Sequence, residues 1–238
     1  MNERGLYIVG DIHGKFLTFE KSMGDKKNSD FILAGDIGLG LHTNNVYVDW
    51  MSQWNDELKK DDNTIYLLRG NHDDPSFWNE NKISFSNIIL IKDYDVLRLK
   101  NKNILCVGGA ISVDRKYRKE GHTYWKEEEF VLNEDILNGL KDINIVVTHS
   151  APEFAFPRGY DTPFLNSFYY GDPELRSDLM MERSEISRMY NVLITKSLFK
   201  QNNDIYAWYY GHFHQKKEEY HNDIMFRLCN IGEIVEVK

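Results

Sequence analysis

The chain has 238 residues, 42% hydrophobic and 28% charged, with a formal net charge of −8 at neutral pH. That length suffices for one domain with a well-buried core, and the acidic balance disfavours a nucleic-acid binder, whose footprint is a basic patch. No apolar stretch approaches the ~20 residues of a membrane span, and the opening MNERGLYIVGDIHG lacks a basic-then-apolar signal. We therefore expect a single domain over residues 1–238, in the cytoplasm and away from membranes. Cys106 and Cys229 both fall in apolar runs, which points to buried free thiols and a reducing compartment.

In chain order, short apolar runs at 6–10, 30–35, 64–68, 88–91, 103–108, 143–148 and 205–210 read as buried strands. A helix is predicted over 46–60, where Val46, Trp50, Met51, Trp54 and Leu58 share one face. Residues 127–140 and 177–200 read as helices on the same ground. A hairpin is predicted where 95–100 returns through Asn101, Lys102 and Asn103, and a second where 224–228 returns to 233–237 around Asn230, Ile231 and Gly232. Strands alternating with helices predict an α/β fold with mixed sheets. Residues 154–178 are aromatic, carry Pro157, Pro163 and Pro173, and lack a period. A loop insertion of this length reads as a lid or substrate wall.

The chemistry collects where the apolar runs stop. GDIHG supplies Asp11 and His13, AGDIG supplies Asp36, LLRGNHDD supplies Asn71 and His72, THSAP supplies His149, and GHFH supplies His212 and His214. Open α/β sheets place ligand sites at the carboxyl ends of their strands, so these groups can converge. Residues two apart on an extended strand point to one face, which predicts that Asp11 with His13, and His212 with His214, are cofacial. One acid or histidine in such a place is ordinarily a cap or turn residue. Five such endings in order carry the carboxylate, amide and imidazole groups of a two-metal centre. Mixed oxygen and nitrogen donors suit two divalent ions, Mn first, then Fe or Zn.

The ordered set Asp11-x-His13, Gly35-Asp36, Gly70-Asn71-His72, His149 and Gly211-His212-x-His214 resembles the calcineurin-like metallophosphoesterase superfamily, and residues 108–130 resemble its bacterial and phage members. The resemblance implies a four-layer α/β/β/α sandwich of two mixed sheets with a dinuclear site at strand ends. It also implies that Asp11, His13 and His214 hold one metal, that Asn71, His149 and His212 hold the other, and that Asp36 bridges them. His72 would be the catalytic non-ligand, a general acid or donor at the leaving-group oxygen. The implied reaction is hydrolysis of a phosphate ester by metal-activated hydroxide. A phosphorylated small molecule, a nucleotide or a phosphoprotein would be the substrate.

The pattern departs from the GDxxDRG protein phosphatases, because Leu39 and Gly40 stand where their second Asp and their Arg would be, and THSAP replaces their HGG. Asp73 or Asp74 then becomes the candidate to orient His72. Arg115, Arg118 and Arg158 become candidates to grip phosphate, and His42 could approach the site, whereas His122 and His221 read as surface residues. The rival functions are a nuclease or nucleotide phosphodiesterase of the same superfamily, which would need a basic groove, and a catalytically silent metal-binding module.

Overall fold

A computed structural model of the chain describes residues 3–41, 44–198 and 203–238, with backbone alone for 44–48 and 196–198. His42 and the end of the helix predicted over 177–200 lie outside the described residues. The first sheet comprises β1 (Gly5–Val9), β2 (Ser29–Leu33), β3 (Asn63–Leu68), β4 (Ile88–Ile91) and β11 (Ile234–Glu236), in the order β11-β1-β2-β3-β4. The second comprises β5 (Val96–Leu99), β6 (Lys102–Val107), β7 (Ile145–Thr148), β8 (Ala207–Tyr210), β9 (Lys217–His221) and β10 (Ile224–Leu228), in the order β5-β6-β7-β8-β10-β9. Both are mixed: β1, β2, β3 and β4 run parallel with β11 opposed, and β6, β7, β8 and β10 run parallel with β5 and β9 opposed.

Alternation along the strands decides the layering. Leu6, Ile8, Ile32 and Leu68 of the first sheet face Ile104, Cys106, Ile145, Val147 and Tyr209 of the second, forming a buried core between the sheets. Their neighbours Val9, Phe31, Leu33, Ile65 and Leu67 point the other way, onto α1 (Phe16–Met23), α2 (Asn44–Lys60) and α3 (Ser76–Asn79). On the far side Leu105, Val107, Val146, Trp208 and Phe226 pack against α4 (Glu134–Gly139) and α6 (Leu175–Leu198). The result is the four-layer α/β/β/α sandwich. Both cysteines are free and buried in the central layer.

Three predicted elements come out differently. The helix expected over 127–140 is a 3₁₀ turn at Lys126–Glu128 followed by the short α4. Its first carbonyls are taken: the Arg69 guanidinium donates to the carbonyls of Glu127, Glu128 and Glu129, so they cannot serve a helix ladder. The second hairpin does not form, because β10 stays in the second sheet between β8 and β9 while β11 crosses to pair with β1. The crossing turn is fixed by Glu233, whose carboxylate accepts from Arg227 and from the Asn230 amide. Finally, the loop predicted over 154–178 contains α5 (Pro163–Tyr169), started by Pro163 and by Thr162, whose hydroxyl accepts from the Leu165 amide. Helix α1 and strand β9 were not anticipated. His221, at the end of β9, stacks on Phe154 rather than standing free at the surface.

Trp208 has no exposed surface and its indole N–H donates to Thr148 Oγ1 at 2.8 Å. Trp208→Ala is expected to cost about 3–5 kcal/mol of stability by urea denaturation, through the cavity it leaves and the lost hydrogen bond to Thr148.

Candidate metal centre

Parallel strands put the carboxyl ends of β1, β2 and β3 along one edge and those of β7 and β8 along the facing edge. The chain turns as it leaves them. His13 (φ 45°), Asp36 (φ 49°), His212 (φ 66°) and His214 (φ 51°) all occupy the left-handed region. Asp11 with His13, and His212 with His214, are therefore not cofacial residues of an extended strand, contrary to the sequence expectation. The bend at GHFH, closed by Phe213 N–H donating to Gly211 carbonyl at 2.8 Å, sends its two imidazoles to different groups. Four non-glycine residues in that conformation store strain of about 1 kcal/mol or more each, which clusters at functional sites.

Two sets of potential ligand atoms result, each within 4.8 Å of one another: Asp11, His13, Asp36 and His214, and Asp36, His149 and His212. Asp36 belongs to both. Its Oδ1 lies 3.3 Å from His149 Nε2 and accepts the His72 amide at 2.8 Å. Its Oδ2 lies 3.8 Å from His13 Nε2 and is buried with no hydrogen-bond partner among the described residues. Asp11 Oδ2 is 3.2 Å from His214 Nε2, and His13 Nε2 is 2.9 Å from His214 Nε2. Asn71 Oδ1 sits 3.0 Å from His149 Nε2 and so joins the second set. All seven predicted ligand residues are brought together. A buried carboxylate oxygen with no donor, among imidazole nitrogens turned toward one another, is a donor set that suits divalent cations.

Surrounding contacts fix these atoms. His149 Nδ1 donates to the Ala34 carbonyl at 2.7 Å across the two sheets, which turns Nε2 toward Asp36. Asn71 donates Nδ2 to Ser112 Oγ at 2.9 Å, and Ser112 N donates to Glu128 Oε1 at 2.8 Å. Asp11 accepts the His212 amide on both oxygens, and the Gly232 amide of the crossing turn donates to the Asp11 carbonyl at 2.8 Å. Gly35 (φ +99°) and Gly211 have no alternative, since an added Cβ would strike His149 Nδ1 in the first case and Asp11 Oδ1 in the second. Electrostatics follow the geometry. Burial works to raise the Asp36 carboxyl, and the adjoining His149, with His72 and His13, reverses it and holds the group well below the usual carboxylate range. Burial likewise opposes a charge on His149, yet Asp36, Asp11 and the Ala34 carbonyl raise it to about 9. His212 falls well below its ordinary value through burial, beside His149 and Arg183.

The sequence pattern of the calcineurin-like phosphoesterase family matches residues 6–216. The chain belongs to that family. One solved structure superposes with a TM-score of 0.53 at 16% identity over 96% of this chain and 91% of its own, a likeness of fold alone. The phosphopantetheinyl hydrolase of Mycobacterium tuberculosis aligns with a TM-score of 0.49 at 12% identity over 99% of this chain and 96% of its own. A putative 5'-nucleotidase from Staphylococcus aureus gives 0.49 at 11% identity, over 96% of this chain and 48% of its own. No curated protein matches this chain. Family membership makes this a hydrolase of phosphate esters with a divalent-metal site.

Within this calcineurin-like phosphoesterase, a cavity of ≈ 340 Å³ adjoins the ligand sets and is lined by Asp36, Asn71, His72, Arg118, Arg158 and Arg183 among others. His72 Nε2 lies 4.0 Å from Asp36 Oδ2 and 2.6 Å from Arg118 Nη2, which donates to it. Burial lowers the His72 pKa to about 4, with Arg118 adding to the effect and Asp36 opposing it. Neither neighbouring acid orients the ring. Asp73 is consumed by the amides of Ile37, Gly38, Leu39 and Gly70, and Asp74 by Ser76. Asp73 thus ties the loop after β2 to the loop after β3, and burial with Asp36 nearby raises its carboxyl to about 6. Arg115 is not brought to the cavity, being held by Asp172 at 2.6 Å and by Asp178. Arg183 was missed, although Glu182 interrupts an apolar stripe of Leu175, Leu179, Ile186 and Met189, and a charge in such a stripe signals a buried network.

A metal must displace the proton on His149 Nε2, so Mn²⁺ affinity should rise with pH toward about 9, with proton release on binding at pH 7; affinity independent of pH would contradict it. In the metal-free protein the raised pKa stabilises the fold fully below the unfolded value of about 6.5, and that contribution disappears as pH rises through about 9. Gly211→Ala should lower bound metal by elemental analysis while circular dichroism stays native.

Proposed function

We propose that the protein hydrolyses a phosphate ester at a dinuclear site in which Asp11, His13 and His214 hold one divalent ion, Asn71, His149 and His212 hold the second, and Asp36 bridges them. The observation that carries this reading is Asp36 Oδ2, a buried carboxylate oxygen with no hydrogen-bond partner among the described residues, in a residue shared by both ligand sets. Two divalent ions would supply a water of lowered pKa as nucleophile and Lewis-acid stabilisation of the phosphoryl oxygens. Mixed carboxylate, amide and imidazole donors favour Mn, with Fe or Zn as alternatives.

The chain's own groups do the rest. Arg118 stands beside His72 in the cavity, its Nε bound by Asp114 at 2.7 Å, and offers the phosphoryl group the cation that Gly40 does not. A phosphoryl group entering the cavity takes the Arg118 donor, which frees His72 Nε2, and its negative charge raises the His72 pKa from about 4. His72 Nε2 then takes up a proton from water and donates it to the leaving alkoxide. Arg158, on the cavity wall, is the second substrate contact. The substrate is a phosphorylated small molecule, a nucleotide or a phosphoprotein, and the continuous core between the sheets supports reading residues 1–238 as one domain. Two buried free thiols fit a cytoplasmic setting.

Turnover of Mn²⁺-loaded protein on nitrophenyl phosphate and on an alkyl phosphate is the test. Asp36→Asn should abolish both activities. His72→Asn should lower kcat by about 10²-fold or more on the alkyl ester and much less on the nitrophenyl ester, whose leaving group departs unprotonated. Equal losses on the two esters would remove His72 from the acid role, and wild-type inactivity with metals bound would overturn the phosphoesterase assignment.

A further inference from the structure

The cavity beside the ligand sets extends beyond the groups that the proposed chemistry uses. Away from the ligand residues, His72 and the Asp114–Arg118 pair, its walls are largely apolar, supplied by Val113, Phe156, Phe164, Leu165, Phe168 and Leu179. Away from Arg118, two guanidiniums interrupt this lining on either side of Phe213, Arg183 over its ring and Arg158 at its carbonyl. Arg183 is 1% exposed, with its guanidinium carbon 4.9 Å from the Phe213 ring and 5.1 Å from the Phe156 ring. Its bonds to Glu182 and Ser150 both run through Nη1, and its Nε is buried with no partner among the described residues. Glu182 is its counter-ion but is shared, accepting also from Ser150 Oγ at 2.7 Å and from the Ile111 amide. Arg158 is half-buried over the Phe164 ring at 5.4 Å and donates to the Phe213 carbonyl at 3.3 Å. The Gln215 amide oxygen accepts from Arg158 Nε at 3.0 Å, and among the described residues no carboxylate pairs with this guanidinium.

A buried donor without an acceptor is uncommon, and a guanidinium facing a pocket without a carboxylate invites an anion. Resting on the phosphoesterase reading above, we propose that Arg183 and Arg158 form a subsite for an anionic oxygen at the far end of the leaving group, so that the enzyme selects phosphate esters whose alcohol is an apolar body bearing a second negative group. The apolar walls hold the body of that alcohol, the ligand sets hold the scissile phosphoryl, and the paired guanidiniums read the distal charge. Arg118 takes no part in the subsite, being engaged by Asp114 and His72 on the reacting side. A carboxylate and a second phosphate share the chemistry required.

The test compares 4-carboxyphenyl phosphate and 1,4-phenylene bisphosphate with the neutral isostere 4-carbamoylphenyl phosphate, all on Mn²⁺-loaded full-length protein. The anionic esters should be preferred about tenfold or more in kcat/KM, mostly through KM, and the better of the two identifies the distal group. Arg158→Gln, and separately Arg183→Lys, should bring the ratio of anionic to neutral ester toward one. Equal turnover of all three esters by the wild type would overturn the subsite while leaving the phosphoesterase reading intact. If no ester turns over, calorimetric binding of 4-carboxybenzylphosphonate against 4-carbamoylbenzylphosphonate decides the subsite independently. Tighter binding of the carboxylate, lost in Arg158→Gln, supports it, and equal affinities overturn it.

Discussion

The Asp36 carboxylate is the constraint on which the rest of the site depends. It leaves β2 in a left-handed conformation, is almost wholly buried, and spends one oxygen on the His72 amide and His149 while the other has no donor. A buried carboxylate that is only half satisfied is costly unless cations meet it. The surrounding chain is built to keep it there. Asp73 pins the backbone on either side through four amides, and the Asp36 carbonyl itself accepts the amides of Ile12 and His13 from the neighbouring strand end. Moving Asp36 would disturb the loops after β1, β2 and β3 together.

The four-layer architecture serves this arrangement. Two sheets with apolar faces on both sides need helices outside and each other inside, and the alternation of Leu6, Ile8, Ile32 and Ile104 against Val9, Phe31, Leu33 and Leu105 meets both demands. Bringing two sheets face to face lets imidazoles from β7 and β8 meet carboxylates from β1 and β2, a meeting that one sheet could not stage. The bond from His149 to the Ala34 carbonyl spans the sheets at that point. Strand β11, by crossing from the second sheet to pair with β1, adds a second tie close to Asp11.

The ligand residues were legible because each follows a short apolar run, beside glycine or a turn, a pattern that survives without knowledge of the contacts. What was not legible has physical reasons. The left-handed turns at His13, His212 and His214 are conformations in which histidine gives little local signal, so an extended strand was the natural expectation. The helix over 127–140 failed because a distant guanidinium, that of Arg69, claims its carbonyls. The last hairpin failed because its strands satisfy different sheets, and no local pattern separates a hairpin from a crossing of the same length. Helix α5 was not read because the aromatic, proline-bearing stretch around it has no period, although Thr162 before Pro163 is a local helix start. Arg183 lay hidden because the only clue was its neighbour Glu182, a charge within the apolar stripe of α6 and far from any recognisable motif.

Electron paramagnetic resonance of the protein titrated with Mn²⁺ tests the central claim most directly. A carboxylate shared by two ions couples their spins, so the wild type should give an exchange-coupled multiline spectrum at saturation, and Asp36→Asn should give only the signal of isolated Mn²⁺. An uncoupled spectrum from the fully loaded wild type would contradict the account, because the two ligand sets would then not meet through Asp36.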